Sequence, residues 1–239
     1  QKTFSYGPYD EITQLGSGRS DNLILFDDIE TLAFKKLYPH TKVITAQYPS
    51  TGSCTCNRHN LNNNRILSPL SFFSNSDNIS NEIIELHYRE YSAALKESGA
   101  DGLDLRTHPA EEGNWIYQLD DYLNDHGIHS RIVSPIYPVT QIACDYLGVA
   151  SSLSCALRDC RFSCDNIFVV CFISISKFVK QGEDPKFTLG NCEGIGFIEE
   201  DGNYDPKIFE RKKFVPPKRK SVPEILNELV EKKDAISVN

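Results

Sequence analysis

Methionine is missing from the whole 239-residue sequence, including position 1, where the chain begins with Gln1. A chain that starts without methionine is typical of a mature protein whose signal peptide has been removed. The tripeptide Asn-Ile-Ser that starts at Asn78 is a sequon for N-glycosylation, a modification of the same secretory route. We therefore expect a secreted, extracellular glycoprotein.

Long hydrophobic runs are missing as well. The longest apolar stretch, NIFVVCFISI at residues 166–175, is about half as long as the roughly 20 residues that a membrane span requires. The formal net charge of −8 disfavours non-specific binding to nucleic acid or to an anionic membrane. We expect neither a membrane span nor a nucleic-acid partner.

The sequence also lacks a glycine-rich phosphate-binding loop. Gly16 and Gly18 lie in the segment LGSGRS, which lacks the strand before it and the helix after it that a phosphate loop needs, so we interpret it as a turn. The cysteine spacing also lacks the paired C-x-x-C hairpins of zinc sites. The sequence therefore predicts neither a cofactor nor a metal.

What the sequence does contain is eight cysteines, an even number that favours disulfide bonds in an oxidising compartment. We expect a cysteine-rich insertion around residues 144–164, tied to the rest of the chain by disulfides whose connectivity the sequence does not reveal. The alternative is a trimmed cytosolic chain whose thiols are buried and free. The candidates for disulfide bonds are Cys54, Cys56, Cys144, Cys155, Cys160, Cys164, Cys171 and Cys192.

Predicted strands and helices alternate along the chain, a pattern typical of a parallel sheet with helical crossovers. The clearest helix covers residues 80–98 and ends at Gly99, and a second ends at Gly127. A closing helix starts with Ser221 and Glu224 in the register of a capping box. Three architectures satisfy the alternation: an open doubly wound sheet, a closed barrel of eight units, or two smaller domains.

One predicted strand, within DGLDLRTH at residues 101–108, carries polar residues toward its end. The stretch resembles the strand-four signature of glycoside hydrolase family 18, the chitinase family, which reads Asp-Gly-x-Asp-x-Asp-x-Glu. Asp101, Gly102 and Asp104 match that signature, whereas Arg106 replaces its third aspartate and His108 its catalytic glutamate.

The flanking segments resemble other strands of the same family in the same order. They are KVITAQYPSTGS, RIVSPIYP, DNIFVVCFI and GIGFIEED. The resemblance covers residues 22–232 and implies a single TIM-like (β/α)8 barrel domain over residues 1–239, shortened or irregular at its N-terminus.

Family 18 enzymes cleave chitin-type polymers with a glutamate acid, an aspartate and a supporting tyrosine and aspartate from strand six. Here His108 stands at the position of the glutamate and Arg106 at that of the aspartate, while Phe172 and Ile173 stand at those of the strand-six tyrosine and aspartate. The resemblance therefore implies a chitinase-like protein without catalytic residues, which binds an oligosaccharide or a protein partner. The residues we predict to contact a ligand are Tyr48, Asp101, Asp104, Arg106, His108 and Glu199.

Other interpretations stay open at this point. Asp104 and Arg106 share one strand face by the period of two, so they can form an interior ion pair instead of a ligand site. An active glycoside hydrolase would need a relocated carboxylate pair, for which the acids at hand are Glu111, Glu112, Glu199 and Glu200. A storage or structural protein would have no site at all.

Overall fold

The computed structural model describes residues 22–26, 28–37, 39–47, 63–70, 79–108, 113–179, 185–189, 194–211, 215 and 218–237. Its strands are β1 (Asn22–Leu25), β2 (Lys42–Thr45), β3 (Arg65–Pro69), β4 (Gly102–Arg106), β5 (Ser130–Val133), β6 (Gly148–Ser151), β7 (Phe168–Phe172) and β8 (Ile195–Ile198). Its α-helices are α1 (Asp28–Leu37), α2 (Asn81–Ser98), α3 (Trp115–Asp125), α4 (Val139–Ile142), α5 (Cys155–Ser163), α6 (Ile173–Val179), α7 (Pro185–Thr188) and α8 (Val222–Ser237). Short 3-10 helices lie at Ala143–Asp145 and Pro206–Phe209.

The main sheet contains six parallel strands in the order β5-β4-β3-β6-β7-β8. The chain starts in the middle at β3, moves outward through β4 to β5, returns to the other side of β3 as β6, and moves outward again to β8. Counted from β3, this is the strand order 3-2-1-4-5-6 of doubly wound nucleotide-binding folds, with the reversal between β3 and β6.

The predicted barrel is therefore wrong. Both end strands, β5 and β8, pair with one neighbour each in the part of the chain that the structure describes, so this sheet is open. Alternating strands and helices were predicted correctly, but that pattern is the same for an open sheet and for a closed barrel.

Residues 144–164, where we expect a cysteine-rich insertion, contain β6, which pairs with β3 at the centre of the sheet, and the whole of α5, which packs on the sheet. The apolar stretch over residues 166–175 contains β7, which ends at Phe172, and the first residues of α6.

Helices cover both faces of the sheet. Leu103 and Leu105 of β4 point to a core that also contains Trp115 and Leu119 of α3. Val149, Val169 and Cys171 belong to a second core on the opposite face, with side chains of α4 and α5. Because successive residues of a strand face opposite sides, a sheet buried in this way has apolar residues at consecutive positions.

The predicted helix ends are confirmed. Ser80 caps α2 by accepting a hydrogen bond from the backbone N–H of Ile83, and Gly99 follows the helix with a φ of 67°. A left-handed backbone at that position favours glycine because a Cβ would be strained there. At α8 the Glu224 carboxylate accepts from the backbone N–H of Ser221 at 2.7 Å, which is the predicted capping box.

The strands β1 and β2 form a separate two-stranded parallel sheet. It is tied to the segment before α8 by backbone and side-chain hydrogen bonds. The N–H of Gln47 donates to the carbonyl of Lys220 at 2.9 Å, and the Arg219 guanidinium donates to the carbonyl of Phe26 at 3.3 Å. The end of the described chain is thus held against its beginning.

Gly148 allows β6 to lie close to β7. It is paired in register with Phe168, and a Cβ added at Gly148 would lie 2.4 Å from the Phe168 ring. That ring is 1% exposed and packs edge-on against Phe209, so it has little room to move. Glycine at the start of β6 is therefore a steric requirement.

Replacing Gly148 by alanine is expected to lower the free energy of unfolding by about 1–3 kcal/mol, the usual cost of inserting a methyl group into a packed core. Urea denaturation of Gly148→Ala measures this cost. The same substitution made in a Phe168→Leu background should cost less, because the smaller side chain leaves space. Equal costs in the two backgrounds would show that the ring does not impose the glycine.

Candidate functional site

Open parallel sheets bind ligands outside the carboxyl ends of their strands, at the point where the strand order reverses. In this chain that point lies between β3, which ends at Pro69, and β6, which ends at Ser151. The Ser151 hydroxyl donates to the carbonyl of Pro69, so a side chain joins the two strand ends directly. We call the carboxyl ends of β3 and β6, at Pro69 and Ser151, together with the strand ends beside them, the switch edge.

On the α2 side of the switch edge, a buried tyrosine lies against β3. The hydroxyl groups of Tyr91 and Ser68 are 2.6 Å apart, and the His87 ring stacks on Tyr91 with centroids 5.4 Å apart. Burial raises the pKa of Tyr91 and lowers the pKa of His87 to about 3. Both side chains are therefore uncharged near neutral pH.

A buried carboxylate lies next to this pair. The Glu90 side chain is 1% exposed, and its Oε1 accepts from Nη2 of Arg89 at 2.7 Å and from the hydroxyl of Ser174 at 2.9 Å. The same Nη2 also lies 3.1 Å from the Ser174 hydroxyl. The charge of Glu90 is thus compensated, and these contacts join α2 to the first turn of α6.

Arg106, the last residue of β4, lies on the opposite face of the sheet at the same edge. It is 6% exposed, and its Nη2 donates to the carbonyls of Pro135 at 3.1 Å and of Tyr137 at 2.7 Å. Its buried Nε has no hydrogen-bond partner within the part of the chain that the structure describes. Burial lowers the pKa of Arg106, but an arginine stays protonated in proteins. Among the described residues no carboxylate neutralises it.

Asp104 is fully buried and surrounded by donors, which do not include Arg106. Its Oδ1 accepts from Nε of Arg65 at 2.6 Å and from Nε of Arg131 at 2.8 Å. Its Oδ2 accepts from Nη2 of Arg131 and from the hydroxyl of Tyr146, both at 2.8 Å. The expected ion pair between Asp104 and Arg106 is therefore wrong, because the neighbouring strands and the segment before β6 supply closer donors.

These donors hold the Asp104 carboxylate in its charged form. Burial alone would raise the pKa of Asp104, but hydrogen bonds from Arg131, Arg65 and Tyr146 outweigh it, and the pKa is lowered. Arg65 begins β3 and Tyr146 precedes β6, so the network lies toward the amino ends of the strands. It lies away from the switch edge and stabilises the sheet.

The other predicted ligand residues are scattered. Asp101 is exposed before β4 at the amino edge, whereas His108 is exposed just after Arg106 at the carboxyl edge. Glu199 follows β8, four strands from β4, which is about 19 Å at the usual strand spacing. Only Arg106 and His108 therefore share the switch edge. Tyr48 lies outside the described residues.

The relocated carboxylate pair of a hydrolase is not formed by the described acids. Glu199 accepts from Nζ of Lys186 at 2.7 and 3.0 Å, and Glu200 pairs with Lys177. Glu111 and Glu112 lie outside the described residues.

Sequence reasoning missed the buried polar residues of α2. His87 and Tyr91 fall on the apolar stripe of the helix predicted over residues 80–98, a position that is typical of core side chains. The available signal was Glu90, a charged residue directly beside Tyr91, because a buried carboxylate requires partners from another element.

The cysteines depart from the expected disulfide framework. Cys144 is disulfide-bonded. Four others are free thiols, in contrast to the expectation: Cys155, Cys160, Cys164 and Cys171. The last three are buried in the core on the α5 side of the sheet, where they pack as small apolar residues. Three further disulfide candidates and the glycosylation site lie outside the described residues: Cys54, Cys56, Cys192 and Asn78.

The described residues form neither a metal site nor a helix that could span a membrane. They contain no group of three or more histidine, cysteine, aspartate or glutamate side chains that could hold a metal ion. Among the described helices, none has both the length and the apolar character that crossing a membrane requires.

No protein-family model and no curated protein matches the chain. Among solved structures it is similar to the GtfA/B complex, at 13% identity and a TM-score of 0.47, over 95% of this chain and 41% of that one. It is also similar to accessory secretory proteins 1, 2 and 3 of Streptococcus pneumoniae, at 9% identity and a TM-score of 0.47, over 73% and 38%.

A third similar structure is a TarM mutant of S. aureus in complex with Fondaparinux, alpha-GlcNAc-glycerol and UDP, at 9% identity and a TM-score of 0.37. It covers 64% of this chain and 31% of that one. The chain spans less than half the length of each of the three.

The resemblance to family 18 chitinases is wrong. The described sheet is open and doubly wound, whereas that family has a closed barrel, and no family model matches the chain. The inactive-chitinase function depended on that family and is wrong with it, and the glycoside hydrolase alternative is wrong as well, because it kept the same barrel. Secretion and an oligosaccharide or protein partner stay predictions.

The Asp104 network generates a prediction about pH. Asp104→Asn should lower the free energy of unfolding by about 3 kcal/mol at pH 7, because Arg65 then loses a buried counter-charge. A lowered pKa contributes stability above the unfolded value, about 3.9, and this contribution is lost as the pH falls through the lower folded value. The difference between wild type and variant should therefore be constant from pH 5 to 8 and shrink below about pH 4.

Urea denaturation across this pH range measures the difference. The matched control is Asp125→Asn on the exposed end of α3, which should change stability by less than about 0.5 kcal/mol. An Asp104→Asn difference that persists unchanged to pH 2 would contradict the account.

The thiols generate a second prediction. Burial raises the pKa of Cys164 to about 11 and of Cys171 to about 12, and raises the pKa of Cys160 well above its ordinary value. Because thiolates are the reactive form, N-ethylmaleimide at pH 8 should label exposed Cys155 in the native protein and these three only after unfolding. Peptide mass mapping reads each site, and native labelling of Cys171 at the rate of Cys155 would refute the buried arrangement.

Proposed function

We propose that this chain is a doubly wound α/β domain that binds a small anionic ligand of the mononucleotide class at the switch edge, with Arg106 as the group that holds its phosphate. The observation that carries the proposal is the buried, positively charged side chain of Arg106, which has no carboxylate partner among the described residues.

A buried charge is costly unless an opposite charge or several hydrogen bonds compensate it. Arg106 has five N–H donors, and its described hydrogen bonds use only those of Nη2, both to neutral carbonyl oxygens. The donors on Nη1 remain for a ligand oxygen, because the described bonds of the guanidinium do not use them and Nη1 is not among its fully buried atoms. The planar fork of a guanidinium fits phosphate and carboxylate groups.

The position of Arg106 supports the same interpretation. It ends β4, which is next to β3 and therefore about 5 Å from that strand and about 10 Å from β6. The nine-residue helix α5 begins at Cys155, directly after the carboxyl end of β6, and the positive end of its dipole favours an anion at this edge. A phosphate between β4 and β6 would interact with both.

The segment between β3 and α2 narrows the ligand class. Residues 71–78 read SFFSNSDN and contain no glycine, whereas the dinucleotide fingerprint needs glycines there so that the backbone can approach a pyrophosphate. A mononucleotide held by a side chain fits this chain better than a dinucleotide held by a glycine-rich turn.

The proposal is tested by isothermal titration of the full chain with UDP, which the TarM crystal contains, and with ADP and inorganic pyrophosphate. Arg106→Gln should weaken binding by about 10- to 100-fold, since a hydrogen bond to a charged group contributes about 1.5–3 kcal/mol. Arg106→Lys, which keeps the charge but loses the fork, should lie between wild type and Arg106→Gln.

Arg211→Gln is the matched control. Arg211 also donates to a backbone carbonyl, that of Asn166 at 2.8 Å, but Asn166 precedes β7 and so lies at the opposite edge of the sheet. This variant should bind all three probes like wild type, and circular dichroism verifies that every variant is folded. Absence of binding by the wild type at millimolar concentrations, or equal affinities of wild type and Arg106→Gln, would overturn the proposal.

A further inference from the structure

The loop between β5 and α4 places two large apolar side chains in solvent at the carboxyl edge. Ile136 is 80% exposed and Tyr137, the next residue, is 62% exposed. Exposed apolar side chains are common one at a time, but an adjacent pair beside a ligand edge calls for an explanation. We call residues 134–138, SPIYP, the platform loop.

The platform loop is held in one conformation by the residue that is proposed to bind the phosphate. Nη2 of Arg106 bonds the carbonyls of Pro135 and Tyr137, and the hydroxyl of Ser134 accepts from the N–H of Ile136 at 3.3 Å. The prolines at both ends of the exposed pair fix their own φ angles. The exposure of Ile136 and Tyr137 is therefore built into the loop, and their contacts with a ligand would require little further ordering.

The two halves of a ligand site are thus adjacent. The carbonyl of Tyr137 lies 2.7 Å from Nη2 of Arg106, so an anion on the remaining donors of that guanidinium lies next to the residue that carries the exposed ring. A ligand that joins an anionic group to a flat apolar group matches both features. A nucleotide has this composition, and aromatic side chains stack on nucleobases of every sequence.

We infer that Tyr137 stacks on the base of the nucleotide whose phosphate Arg106 holds, with Ile136 packing beside the ring. This inference rests on the proposed function and adds a base-binding subsite to it. The phosphate site alone does not make the following prediction. Substitutions in the platform loop should weaken the binding of ligands that carry a base and leave the binding of ligands without a base unchanged.

The experiment compares UDP with inorganic pyrophosphate, which carries the same phosphates and no base, by titration calorimetry. Tyr137→Ala should weaken UDP binding about tenfold and leave pyrophosphate binding unchanged, whereas Tyr137→Phe should retain UDP affinity. Tyr117→Ala on α3 is the matched control, because Tyr117 is similarly exposed, at 58%, and lies outside the platform loop. It should bind both probes like wild type.

The outcomes separate the inference from the proposed function. If Arg106→Gln weakens the binding of both UDP and pyrophosphate but Tyr137→Ala weakens the binding of neither, the base subsite is refuted and the phosphate site stands. Equal losses of UDP and pyrophosphate in Tyr137→Ala would also refute it, because the residue would then act only through Arg106. If no probe binds wild type, both fail. Sedimentation that shows self-association abolished by Tyr137→Ala, with UDP affinity unchanged, would assign the pair to a protein interface instead.

Discussion

The pairing of β3 with β6 is the constraint on which the rest of the structure depends. It joins a half that runs outward through β4 and β5 to a half that runs outward through β7 and β8. Only Ile66 with Gly148 and Leu67 with Val149 are in register between them, and the bond from Ser151 to Pro69 adds a side-chain link at the end. The two halves run outward from this pair in opposite directions, which is the arrangement that places ligand sites at the carboxyl ends of open parallel sheets.

Charge is distributed unequally along β4. The carboxylate of Asp104 accepts four hydrogen bonds from two arginines and a tyrosine. Arg106 lies on the same face of the strand, and no carboxylate of the described residues forms an ion pair with it. The first arrangement is compensated and lies toward the amino ends of the strands. The second is uncompensated and lies where doubly wound sheets bind their ligands. The compensated carboxylate of Asp104 and the proposed binding residue Arg106 are thus two positions apart on a single five-residue strand.

Much of the fold was predictable from local patterns. The stop at Gly99, the capping box at Ser221 and the apolar stretch of β7 follow from the preferences of single residues and short repeats. The two central strands were not predictable in this way. RILSP ends in proline and GVAS consists of small residues, so neither looks like a strand, although both are buried because their neighbours cover them.

The architecture and the site depended on these missed strands. Without β3 and β6, the order of the remaining strands does not distinguish an open sheet from a barrel. The chitinase-like signature failed for a related reason. It matched Asp101 and Asp104 by type and spacing, but Asp101 is exposed at the amino edge and the role of Asp104 is set by Arg131, its register neighbour on the next strand. The carboxyl-edge position of Arg106, in contrast, followed from its place at the end of a predicted strand.

The thiols of the α5 side have a consequence for the chemistry of the surroundings. Cys160, Cys164 and Cys171 contribute packing to the core on that face and no cross-links. The packing contribution of these three residues is therefore independent of the redox potential, since they hold no bond that a reductant could break and no accessible sulfur that a mild oxidant could attack. Cys144, which is disulfide-bonded and packs against the same core, lies in the crossover between β5 and β6 and gives that connection a bond that a reductant can break.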